Sequence, residues 1–314
     1  MVGQDRIAAR RADQRRITPL PSSMVSTTLT HDAPVGIFDS GVGGLSVLRH
    51  IQAQLPHEHL LYVADSGYAP YGDKPESLVI ARVLAIADFL IAQGAKAIVV
   101  ACNTATVAAV RVLRETHPGM PVVGVEPGLK PAAALTRNGK VGVLATARTL
   151  QGAKFLLLRD QIHRETGVDF LLQPCVGLVD QIELGELDSS AMMATLERFI
   201  APLLAQDADT LVLGCTHYPL VRGAIERLLV SMGRGDVALV DTGDAVARQL
   251  ARLLVAGGLA RAVGTEGLSA GLTGYTTASA VALTAAFRSL LGIDPPVYAV
   301  DIAEPQAPSA STCN

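Results

Sequence analysis

Apolar positions along this chain come in short runs that alternate with longer segments of helical period. Val35-Gly36-Ile37-Phe38-Asp39, Leu60-Leu61-Tyr62-Val63-Ala64-Asp65, Ala97-Ile98-Val99-Val100-Ala101 and Pro121-Val122-Val123-Gly124-Val125-Glu126 are compact and rich in β-branched or aromatic residues, and each predicts a buried strand. Between them lie helical patterns, from Leu45 to about Leu55 and from Ser77 to Gln93. The second of these is apolar at Leu78, Val79, Val83, Ile86, Ala87 and Leu90. Strand and helix in alternation call for a parallel sheet covered by helices on both faces.

At Val141-Gly142-Val143-Leu144-Ala145-Thr146 the pattern restarts, echoing Val35 to Ser40. Helices near 153–165 and 191–204, strands at 170–173, Thr210-Leu211-Val212-Leu213 and 236–241, and a turn with a short helix at 176–183 follow. A helix at about 244–255 comes next. The stretches 271–277 and 297–301 read as strands returning to the first sheet. The expected architecture is two similar α/β domains with mainly parallel, helix-covered sheets and a cleft between them. Residues 35–126 with 241–302 form one domain and 127–240 the other, so the chain crosses twice. A length of 314 residues suits two domains.

Composition narrows the partners. The chain is 49% apolar and 18% charged, with a formal charge of −3, which argues against a nucleic acid as partner. Four cysteines are too few and too scattered for a disulfide framework, and a reducing, cytoplasmic setting fits them. Residues 1–34 carry Arg6, Arg10, Arg11, Arg15 and Arg16 among Ser, Thr, Pro and Gln, and read as a disordered extension, with Met24 as a later start close to the first strand. No run is apolar enough for an export signal or a membrane span. Residues 303–314 read as a flexible tail, and Cys313 there as idle.

The chemistry concentrates where two strands end. Cys102 follows the strand 97–100 and opens an alanine-rich helix through Asn103, Thr104 and Thr106, while Cys215 follows 210–213 and precedes Thr216, His217, Tyr218 and Pro219. The interval from Asp39 to Cys102 resembles that from Ala145 to Cys215, so the two thiols hold equivalent places in the two halves. Open α/β sheets bind ligands at such strand ends, and a helix N-terminus there lowers a thiol pKa. Two thiols facing one carbon from opposite sides can remove a proton and deliver one, inverting a stereocentre. A buried cysteine is ordinarily a small core residue, and for Cys175, which follows Pro174 without a polar sequel, that reading stands.

Other features divide between ligand and scaffold roles. Ser40-Gly41-Val42-Gly43-Gly44 is a glycine-rich strand-to-helix turn but lacks dinucleotide-binding spacing. Asp39 could cap the next helix, Tyr71 could simply pack, and Glu183 could be an exposed helix acid. His217, two residues after Cys215, could be a satisfied structural histidine or could bias that thiol toward thiolate. The Cys-x-His pair lacks the further ligands a zinc site needs, so no metal is expected. Lys130 and Lys140 have no pyridoxal motif around them, so no organic cofactor is expected either. A non-enzymatic two-domain binding protein for small ligands is the alternative, and it leaves the paired thiols without a purpose.

Taken together, Asp39-Ser40-Gly41-Val42-Gly43-Gly44, Asp65 through Pro70-Tyr71-Gly72, Cys102-Asn103-Thr104 and Gly214-Cys215-Thr216-His217-Tyr218-Pro219 resemble the cofactor-independent aspartate/glutamate racemase family, block by block and in order. The resemblance implies interconversion of L- and D-glutamate, with D-glutamate supplied to bacterial peptidoglycan; aspartate is the alternative substrate. It implies Cys102 and Cys215 as the acid/base pair, assisted by Asp39 and His217 respectively. Asp39, Ser40, Tyr71, Gly72, Asn103, Thr104, Thr216 and His217 would hold the amino acid, and Asp65, Thr146 and Glu183 would be further polar groups of the site. It leaves room for a homodimer. Ser66, Gly67 and Tyr68 stand where the family has Thr, Ala and Arg, which alters the shape of that loop.

Overall fold

The computed structural model describes residues 30–261 and 270–303; the remainder of the expected extension and tail, Cys313 included, lies outside the described residues. Strands β1 (Val35–Asp39), β2 (Leu60–Ala64), β3 (Ala97–Val100) and β4 (Val122–Gly124) alternate with helices α1 (Leu45–Gln54), α2 (Glu76–Ala92) and α3 (Asn103–Thr116). The chain then enters α4 (Leu129–Leu135), β5 (Lys140–Ala145), α5 (Ala147–Gln151), α6 (Ala153–Thr166), β6 (Asp169–Pro174), α7 (Leu178–Glu183), α8 (Ser190–Leu204), β7 (Thr210–Leu213), α9 (Arg222–Ser231) and β8 (Ala238–Val240). It ends with α10 (Gly243–Ala256), β9 (Leu272–Thr276), α11 (Ala280–Ala286) and β10 (Val297–Ala299).

Two parallel sheets result, in the orders β10-β9-β2-β1-β3-β4 and β6-β5-β7-β8. The run β2-β1-β3-β4 repeats as β6-β5-β7-β8, so β1 corresponds to β5 and β3 to β7. The repeat seen in the residues is therefore a repeat of topology. In both halves the strands are apolar on both faces, as parallel strands between helical layers must be. In β1, Val35 and Ile37 enter the core shared with Leu48, Ile51 and Leu250, and Phe38 enters the opposite core with Val83 and Ile86. In the second sheet Leu211 and Leu213 face Leu196 and Ile225, while Val212 faces Val143 and Phe155.

Helix α10 lays Val246, Ala247, Leu250 and Leu254 against α1, which carries the chain back from the second sheet to the first. Helices α4, α5, α9 and α11 are not among those expected from the residue pattern. At seven, five and seven residues, α4, α5 and α11 are too short to display a helical period. Among the described residues no helix is long and apolar enough to cross a membrane.

Candidate active site

The C-terminal ends of β1, β3 and β7 converge, because parallel strands deliver their loops to one edge of each sheet and contacts such as Thr216 to Asp39 and Glu183 to Val42 join those edges. Cys102 follows β3 in extended backbone and N-caps α3, with its carbonyl accepting from Thr106 N at 2.9 Å. Cys215 follows β7. Its successor is a 3-10 turn, Tyr218–Val221, instead of a long helix. Cys102 and Cys215 are 5% and 6% exposed, so each thiol is almost sealed from solvent.

Around Cys102 the partners are acidic and hydroxylic. Ser40 Oγ lies 3.7 Å from Cys102 Sγ. Asp39, fully buried, accepts from Ser40 N at 2.7 Å and Gly44 N at 2.5 Å, and from Thr216 Oγ1 at 3.3 Å. It thus pins the glycine turn, as the capping alternative foresees, and it also faces the thiol. A Cβ on Gly44 would stand 2.7 Å from Asp39 Cβ, so only glycine lets this turn close on the carboxylate. Burial raises the Asp39 carboxyl above its ordinary value, against the opposing charge of His217. Burial, then the Asp39 charge, push the Cys102 thiol well above its ordinary value, and the nearby Cys215 adds to this. The lowering expected from a helix N-terminus is real, since Ala105 N–H does favour the thiolate, but desolvation outweighs it.

Around Cys215 the partner is a cation. His217 Nδ1 lies 3.8 Å from Cys215 Sγ, and its Nε2 is 2.6 Å from Glu183 Oε1. Burial alone would lower the imidazolium's pKa, yet hydrogen bonds to Cys215 and Glu183 raise it well above the ordinary histidine value. Glu183 is lowered, its burial outweighed by the bond and charge of His217. Its Oε1 also accepts Val42 N at 3.1 Å, tying the glycine turn of the first sheet to α7 of the second. Glu183 stays partly exposed on its helix, as the alternative reading has it, yet one carboxylate oxygen is engaged by His217 and Val42. Ser46 Oγ donates to the Thr216 carbonyl at 2.8 Å, a further bond between the halves.

The remaining polar positions fall into two groups. Thr104 Oγ1 lies 3.1 Å from Thr146 Oγ1 and 3.5 Å from Thr149 Oγ1, so α3 and α5 meet in a hydroxyl cluster beside Asn103, which is buried. Gly72 abuts it, since a Cβ there would touch Thr146 at 3.4 Å. Asp65, by contrast, offers no free oxygen to a ligand: it accepts from Arg82, from Tyr71 OH at 2.6 Å and from Thr277 Oγ1 at 2.9 Å. Thr149, Ser46 and Arg82 are site or support residues that residue reading did not single out. Cys175 is buried beside Tyr218, its thiol pushed up to about 12 chiefly by burial, and it donates to the Gln173 carbonyl at 3.4 Å. Among the described residues no three His, Cys, Asp or Glu side chains stand together as metal ligands.

The chain as a whole is similar to known proteins. Residues 40–250 match the family model for Asp/Glu/Hydantoin racemase. A glutamate racemase of Pseudomonas putida (strain W619) is 58% identical over 224 residues, covering 71% of this chain and 82% of that protein. One from Pseudomonas paraeruginosa (strain DSM 24068 / PA7) is 54% identical over 222 residues, with the same coverage. Among solved structures, glutamate racemase isoform RacE1 from Bacillus anthracis superposes with a TM-score of 0.76 at 31% identity, over 86% of this chain and 98% of that one. The Escherichia coli glutamate racemase in complex with L-glutamate and the activator UDP-MurNAc-ala gives 0.73 at 31% identity, over 86% and 99%.

Proposed function

This chain belongs to the Asp/Glu/Hydantoin racemase family, and from that premise we infer that it is an isomerase interconverting L- and D-glutamate without a cofactor. Such an activity supplies D-glutamate to bacterial peptidoglycan, and a cytoplasmic setting and a homodimer belong to the same reading. The observation that carries the mechanism is the equivalence of Cys102 and Cys215, two buried thiols at matching strand ends of a repeated four-strand unit.

Cys102 rests as a thiol and is the proton donor of the resting enzyme; Cys215, hydrogen-bonded to the His217 imidazolium, removes the Cα proton from the opposite face. In the reverse direction Asp39 assists Cys102, while His217 and Glu183 assist Cys215. Each turnover transfers one proton out of and one into Cα, so the chain supplies both acid and base itself. Ser40, Tyr71-Gly72, Asn103-Thr104, Thr146 and Thr216 hold the two carboxylates and the ammonium through hydroxyls and backbone N–H groups. Their fixed dipoles in a site closed to water replace an electron sink. Glutamate and aspartate differ by one methylene, which a pocket discriminates by about 1–3 kcal/mol.

The test is circular dichroism of each purified enantiomer with the metal-free protein. Loss of signal from both D- and L-glutamate, at a higher kcat/KM than for aspartate, is the expected result. Turnover of aspartate with none of glutamate would overturn the substrate assignment.

A further inference from the structure

Helix α2 carries an arginine on its buried stripe. Val79, Arg82, Val83 and Ile86 follow the spacing of one helix face, and all four are buried, Arg82 at 0% exposure. A side chain that is almost never fully buried without a partner requires an explanation. Its three nitrogens are all engaged: Nε and Nη2 fork onto Asp65 Oδ2 and Oδ1 at 3.0 and 2.8 Å, and Nη1 donates to the Ile302 carbonyl at 2.6 Å. The guanidinium also lies over the Tyr68 ring, 3.8 Å from its centroid.

The ion pair grips one loop at several points. Asp65 begins the loop between β2 and α2 and accepts Tyr71 OH from its far end. Thr277 Oγ1 donates to Asp65 and accepts Gly67 N at 3.0 Å, while Tyr68 roofs the guanidinium. The loop is thus fixed at its start, middle and end by groups that meet on Arg82 and Asp65. Tyr71 and Gly72, which close it, border the Thr146 cluster. A well-packed hydrophobic pair could stabilise such a core equally well, so stability alone does not call for a buried ion pair here.

We propose that Arg82 is a positioning residue of the racemase site, setting through Asp65 the place of the Tyr71-Gly72 wall against which the amino acid is held. The proposal rests on the racemase reading for its substrate and on the loop geometry for its mechanism. Arg82→Lys retains a charge but loses the fork and the planar face over Tyr68. Tyr71→Phe removes only the hydroxyl that Asp65 accepts. In both variants KM for D- and L-glutamate should rise about tenfold while kcat stays within about threefold, because the wall contributes to binding and the two thiols are untouched.

Hydrogen exchange read by mass spectrometry supplies a readout without substrate. Amides of 66–73 should exchange faster in both variants than in the parent protein, with β3 unchanged. If Arg82→Lys fails to fold, Tyr71→Phe and Tyr68→Leu carry both measurements. Unchanged loop exchange, or a parental KM in a folded variant, would overturn the proposal. A parent protein inactive on glutamate would instead remove the substrate reading, and the exchange result would still decide the role of Arg82.

Discussion

Two copies of one four-strand unit each end a central strand in a buried cysteine, yet they surround it with opposite charges. Cys102 faces Asp39 and Ser40, and its thiol is held protonated by burial and by an anion. Cys215 faces His217, a cation locked in place by Glu183. Topology places the sulfurs, and the side chains brought against each one set its electrostatic surroundings. In the first copy the charged neighbour comes from the adjacent strand β1, and in the second it lies two residues on in the same loop. The two thiols thus meet the substrate from unlike surroundings, an anion beside one and an imidazole beside the other.

The largest effects should come from breaking either side outright. Cys102→Ala or Cys215→Ala should lower racemisation by at least about 10²–10⁴-fold in both directions, measured by circular dichroism, because neither thiol can do the other's step. Neutralising one assistant sharpens the comparison. Asp39→Asn and His217→Asn should each cost about ten- to a hundredfold in kcat, with the larger loss falling on opposite directions of the reaction; equal losses in both directions would show that the two environments are not specialised. A smaller and one-sided effect is expected of Gly43→Ala. A Cβ there would crowd the His217 ring, with its Cγ only 2.8 Å away, so kcat should fall by about three- to tenfold through the Cys215 side alone.

The smallest effect is on stability. The folded-state pKa of His217 lies well above 6.5, so its contribution is fully present below 6.5 and is lost as pH rises through the folded value. Glu183 lies below 4.5, so its contribution is present above 4.5 and is lost as pH falls through its folded value. The pair therefore stabilises most between those two limits. Urea unfolding of the parent and of His217→Gln should differ there by on the order of 1–3 kcal/mol, and the gap should narrow as pH rises further.

Much of this site could be read in the residues because its parts sit beside strand ends. Asp39, Cys102, Cys215 and His217 each lie within four residues of an apolar run, and the restart at Val141 exposes the repeat. What escaped is carried by tertiary contacts. Arg82 sits inside an otherwise apolar helical stripe, and its carbonyl partner at Ile302 is 220 positions away. Glu183 becomes a partner of His217 only when α7 turns toward the glycine loop. The upward shift at Cys102 depends on burial, which no local pattern measures, so the helix terminus alone points the wrong way. Short α4 and α5 carry too few residues to show a period, and with α5 went the part of Thr149 in the hydroxyl cluster.

The central claim, that the two thiols serve opposite faces of one carbon, is tested most directly by proton NMR of the Cα signal in deuterium oxide. Cys102→Ser and Cys215→Ser would each be incubated with pure D- and pure L-glutamate. The expected result is that each variant exchanges the Cα proton of one enantiomer only, a different one for each variant, with no inversion. Exchange of both enantiomers by either single variant, or inversion at the parental rate, would contradict the account.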